Sequence, residues 1–144
     1  MPDPTEERTL PLAHRLAADL AGAAEVEISR TGPGLTVRLT PHRSGAREVI
    51  WLDLGTEIIV QAGEIGGRWE LTAEPTDLTF LDDLVTSVIA GRVSEVAAYR
   101  RSRVTVTLRD GSAQTETGYD GLGALLPLPL WPRWARTTHY LPYR

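Results

Sequence analysis

His14, His42 and His139 are the chain's three imidazoles, the side chains most often used as metal ligands or proton carriers near neutral pH. Their spacing supports neither use. No two stand four residues apart, as one helix face of a zinc site requires, and there is no cysteine to complete a mixed site. His42 shares a turn-rich stretch with Ser44, but no G-x-S-x-G nucleophile elbow accompanies them. Among the carboxylates, Asp82 and Asp83 are adjacent on the polar face of a predicted helix, where acids are usually just solvated. Asp53 and Glu57 flank Gly55 between two apolar runs; such a pair can bind a cation or act as a base, although turns favour aspartate for local hydrogen bonding in any case. Gly121-Leu122-Gly123 lacks the third glycine and the following helix of a phosphate loop. The residues therefore name no catalytic group, no metal ligand and no cofactor, and a small hydrolase-type enzyme is the least favoured reading.

All 15 basic residues are arginine, and lysine and cysteine are absent. Schiff-base chemistry, a Walker-type phosphate loop, thiolate nucleophiles and iron–sulfur clusters are thereby excluded. The excess of Ala, Gly, Pro and Arg fits coding by a GC-rich, bacterial genome. Arg100, Arg101, Arg103 and Arg109 cluster around a predicted hairpin. A two-residue turn at Asp110-Gly111 sets Thr105 opposite Glu116, with Arg103 diagonal to that acid. A net charge of −4 opposes binding of this patch to nucleic acid. Residues 1–120 hold all 19 acids, whereas 121–144 hold Arg133, Arg136, Arg144 and no acid. This basic end also carries Trp131, Trp134, Tyr140 and Tyr143, and Trp, Tyr and Arg dominate binding hot spots. Two outcomes are open: the segment presents these groups to a partner, or it lies across the domain's own apolar surface.

These residues need a scaffold. Leu10-Pro11 after Thr9 starts a helix over about 10–22, ended by Gly22. Alternation then predicts strands through Val26 and Ile28, Leu35 to Leu39, and Trp69 to Ala73. Val49–Leu52 and Ile58–Val60 are apolar on both faces and read as central strands buried on both sides. A second helix, capped by Thr76, carries the stripe Leu78, Leu81, Leu84, Val85, Val88 and Ile89 and stops at Gly91. A strand over Val93–Ala97 and the hairpin Val104–Leu108 and Ala113–Thr117 follow. From 121 onward the prolines among Leu125 to Trp134 predict an extended, polyproline-like tail.

The fold expected is α+β: a mostly antiparallel twisted sheet of about eight strands, in the order α-β5-α-β3, with two helices on one face. Its 144 residues suit one domain, with 1–8 a lead and 121–144 a tail. No apolar run approaches the roughly 20 residues that span a bilayer, the acidic start lacks the pattern of a secretory signal, and a cytoplasmic, non-membrane protein is expected. The function favoured is a non-enzymatic protein-interaction module, such as an immunity- or chaperone-like binding protein. Its contacts would come from Trp131, Arg133, Trp134, Arg136, Tyr140, Tyr143, Arg101, Arg103 and Arg109, and a homodimer is compatible with the sequence. The alternative is a small-ligand domain with a pocket between sheet and helix lined by Trp51, Ile59 and Trp69, with Asp53 and Glu57 nearby.

Overall fold

The computed structural model describes residues 8–32, 34–120 and 131–144. Five strands follow one another: β1 (Ala24–Thr31), β2 (Gly34–Pro41), β3 (Val49–Asp53), β4 (Glu57–Gln61) and β5 (Arg68–Thr72). They form an antiparallel sheet in sequence order. Val37 pairs with Trp51, and Trp51 with Val60. One face therefore collects these three with Leu39, Val49 and Ile58, all almost completely buried. Helix α1 (Leu10–Asp19) adds Ala13 and Leu16 to this core, and α2 (Pro75–Ile89) adds Leu81, Leu84, Val85 and Val88. Among the described residues no helix lies over the opposite face. Ile50, Leu52 and Ile59 are only half-buried there, in register with Arg38, Gln61 and Glu70. The expectation of strands buried on both sides is thus corrected.

The remaining strands form a second antiparallel sheet in the order β8-β7-β6-β9: β6 (Val93–Ala98), β7 (Arg101–Thr107), β8 (Ala113–Tyr119) and β9 (Arg136–His139). The architecture is α+β and antiparallel, as the alternation implied, with nine strands in two sheets among the described residues rather than about eight in one. Helix α2, 15 residues long, lies between the two sheets in the chain. A third helix, the single turn α3 (Trp131–Trp134), precedes β9. The two sheets meet at the β4–β5 turn, where Gly66 N–H donates to Ser102 Oγ at 2.6 Å and Gly67 N–H to Glu116 O at 3.2 Å. Glycine is needed for this approach, because a Cβ on Gly66 would fall 2.3 Å from Ser102 O.

The start of α2 and the β7–β8 turn differ from the sequence reading. Helix α2 starts after Glu74 rather than at Thr76, because Pro75 takes a first-turn position where a missing N–H costs nothing. At its other end Gly91, with φ +80°, places Arg92 N–H on Ser87 O at 2.9 Å in a Schellman turn. The β7–β8 hairpin turns through three residues, Arg109 to Gly111, with Gly111 left-handed and Leu108 N–H bonded to Ser112 O at 2.8 Å. The extra residue shifts the register by one. Thr105 therefore faces Thr115, Arg103 faces Thr117, and Glu116 pairs with Val104.

Candidate functional site

An open cleft of about 610 Å³ lies between the two sheets, lined by Arg68, Trp69 and Glu70 of β5, Glu116, Gly118 and Tyr119 of β8, and the turn residues Ile65 and Gly66. Side chains alternate faces along a strand, so a cleft touched by three consecutive residues of β5 must run along that strand's open edge. The backbone agrees. Ala62 N–H bonds Gly67 O and Ala73 N–H bonds Thr56 O. Antiparallel bonding alternates, so Trp69 and Leu71 bond inward to β4 while Arg68, Glu70 and Thr72 turn their N–H and C=O outward. The outward N–H of Thr72 is taken by Asp77 Oδ2 at 2.8 Å, which closes the edge at that end. Those of Arg68 and Glu70 have no backbone partner on the cleft side among the described residues.

The walls combine apolar rings with acids. Trp69 is half-buried, Tyr119 is exposed, and Arg101 stands 5.2 Å from the Tyr119 ring centroid. Arg68 lies 3.6 Å from Glu70, whereas the half-buried Glu116 carboxylate has neither hydrogen bond nor ion pair among the described residues. Two acids against one arginine leave the lining negative.

In the tail Trp131, Tyr140 and Tyr143 turn inward, whereas Arg133, Arg136 and Arg144 stay exposed. Trp131 is buried, with Arg103 at 5.4 Å and Arg101 at 6.0 Å from its ring. Arg101 is itself buried, and its Nε donates to Tyr99 O at 3.1 Å. Arg103 Nε donates to Thr117 Oγ1 at 3.0 Å. Arg136 pairs opposite Ala97 at the start of β9, with its side chain exposed, as is that of Arg133. Instead of an extended tail, residues 131–144 hold a helical turn, which tolerates Pro132 in its first turn, and a strand paired with β6. Tyr140 OH donates to the buried Glu95 at 2.7 Å, and burial together with that carboxylate pushes the phenol's pKa up. Tyr143 is buried, donates to Arg47 O at 2.6 Å, and is also raised, first by burial. Arg109 reaches Asp82 and Asp83 at 3.5 and 3.9 Å. The expectations for 121–130 and for the Trp134 side chain lie outside the described residues.

Nor do the residues of the sheet–helix pocket converge. Trp51 is fully buried in the core, its indole N–H without an acceptor among the described residues, and Ile59 points from the opposite face. Trp69 reaches the edge cleft instead. Asp53 is fully buried and its carboxylate is used up: Oδ2 accepts Thr9 N–H and Thr9 Oγ1–H, and Oδ1 accepts Gly55 N–H at 2.9 Å. It anchors the start of α1 from a strand 44 residues away. Glu57 is exposed. The β5 edge is what sequence reasoning missed; the signal for it was Asp77, five residues after Thr72 and placed to cap one end of an open strand.

No family model, no curated protein and no solved structure matches this chain. Among the described residues no helix is long and apolar enough to cross a membrane, and no three His, Asp or Glu groups are placed to hold a metal ion.

Proposed function

We propose that this chain is a non-enzymatic protein-interaction module that takes an extended segment of a partner as an added strand along β5. The observation that carries the reading is the open edge at Arg68 and Glu70, lying in a cleft between two sheets. Added strands gain affinity from main-chain hydrogen bonds and specificity from pockets for alternate side chains. Here Trp69 and Tyr119 offer apolar contact, and Glu70 and Glu116 favour a segment with basic residues. The lack of cysteine favours a cytoplasmic setting for that partner.

Selection from a random decapeptide library on the immobilised chain tests the reading. Peptides carrying basic and apolar residues at alternate positions are expected. Glu70→Pro removes the outward N–H and spares the inward ladder, so it should abolish binding, whereas Glu70→Gln should only weaken it. Selected peptides that bind Glu70→Pro and Glu116→Arg as well as the parent chain would overturn strand addition at this edge.

A further inference from the structure

The second sheet carries a row of hydroxyl and imidazole groups on the face away from the core. Ser94 of β6 pairs with His139 of β9 on one side and Thr105 of β7 on the other, and Thr105 pairs with Thr115 of β8. Beside this row lies a depression of about 300 Å³, lined by Gly91, Arg92, Val93, Ser94, Thr105, Thr107 and His139. Among the described residues it contains no acid and shares no residue with the cleft along β5.

Arg92 is held in place without being neutralised. Its Nε donates to Thr107 O at 3.3 Å and its Nη2 to Ser87 Oγ at 3.3 Å. A guanidinium has five N–H donors, so three remain. No carboxylate forms an ion pair with Arg92 among the described residues; the acid nearest in the bonding chain, Asp83, reaches it only through Ser87 Oγ and is shared with Arg109. The chain carries a net charge of −4, so a positive depression without acids is a local feature against the general field. Thr105 and Thr115 share one hydroxyl proton at 3.2 Å, which leaves the other hydroxyl of the pair able to donate elsewhere. The imidazole of His139 supplies one N–H donor when neutral and two when protonated.

The carbonyl end of α2 lies close by and would repel an anion if its oxygens were free. They are not. The carbonyls of Thr86, Ser87, Val88 and Ile89 accept the backbone N–H groups of Ala90, Arg92, Gly91 and Tyr143 in turn.

We infer that this depression binds a small oxyanion, with a phosphate group as the matching chemistry: Arg92 supplies the charge, and Ser94, Thr105 and His139 supply further donors. A fixed arginine with neutral hydroxyl donors is the usual way to hold such a group, because its planar fork matches paired phosphate oxygens. The test is an ¹⁵N-NMR titration of the full chain with inorganic phosphate, and separately with O-phosphoserine, at ionic strength held constant with chloride. Saturable shifts at the amides of Arg92, Ser94, Thr105, Thr107 and His139 are expected. Tighter binding of phosphoserine would mark the source as a monoester on a larger molecule; equal or tighter binding of inorganic phosphate would mark it as the free ion. Arg92→Gln should weaken binding about tenfold or more. Thr105→Val, which keeps the strand's shape, should weaken it several-fold with an unchanged melting temperature. Arg38→Ala, on the other sheet, should leave it unaltered. Shifts that chloride reproduces, or affinity retained in both Arg92→Gln and Thr105→Val, would overturn the site.

Discussion

Two aspartates show how far one side chain's role depends on what folds around it. Asp53 sits at a strand turn, where its sequence position suits a turn former and allows a base, yet its three hydrogen bonds tie α1 to β3 inside the core. Asp53→Ala strands the Thr9 and Gly55 donors, and a loss of about 2–3 kcal/mol in urea unfolding is expected. Asp82 lies between Arg15 of α1, at 2.8 Å, and Arg109 of the β7–β8 turn, at 3.5 Å. Burial alone would raise its pKa, but hydrogen bonds from Arg15 and Thr86 with the charges of Arg15 and Arg109 hold it below the usual carboxylate range. The folded pKa is depressed, so the contribution is fully present above the unfolded value near 3.9 and is lost as pH falls through the folded one. Both arginines are half exposed, so Asp82→Asn should cost only about 0.5–1 kcal/mol at pH 7. Melting curves of the two proteins should begin to converge as pH falls below about 4 and should coincide only below the folded pKa.

At the level of elements, helix α2 was legible because its signals are local, a stripe at 3.6-residue spacing and a glycine at the end, although its start was read at Thr76 instead of Pro75. Leu81, Leu84, Val85 and Val88 are indeed fully buried, and Leu84→Ala should destabilise by about 2–5 kcal/mol. A midpoint shift under half a kilocalorie would mean that the stripe is not packed. Strands β1 to β8 were equally readable, mostly from period-two alternation, whereas β9 was not and fell within the expected extended tail. What alternation does not contain is the number of sheets or the covering of a second face. Ile50, Leu52 and Ile59 have the apolar character of doubly buried strands, but no segment among the described residues lies over them. Register was lost for a similar reason. Asp110-Gly111 marks a turn, but whether two or three residues form it depends on where Gly111 adopts its left-handed φ of +87°. That choice moved Glu116 from Thr105 to Val104 and so placed its carboxylate in the cleft.

For the whole molecule, the decisive question is what the C-terminal segment does for the body. Composition marks residues 121–144 as basic and aromatic, but composition alone does not separate an arm from a clasp. Residues 131–144 act as a clasp: β9 covers the β6 edge from Ser94 to Ala97, Trp131 and Tyr143 are 6% and 2% exposed, and Tyr143 N–H bonds Ile89 O at the end of α2. The contacts also hold the glycine stop of that helix, since a Cβ on Gly91 would meet Pro142 N at 2.6 Å. Cutting the chain after Asp120 would open β6 as an unprotected edge and leave Glu95 without the Tyr140 hydroxyl. Trp131 alone, as a buried tryptophan, is worth about 3–5 kcal/mol, a large part of the roughly 5–15 kcal/mol that stabilises an ordinary domain. The truncated chain should therefore have a much lower urea midpoint and should scatter light at concentrations where the full chain is clear. A synthetic peptide of residues 121–144 added in trans should raise that midpoint with concentration, as mass action requires of a segment that binds only the folded body. A truncated chain that keeps the full midpoint and ignores the peptide would show that the clasp carries no stability and that its aromatic residues serve another purpose.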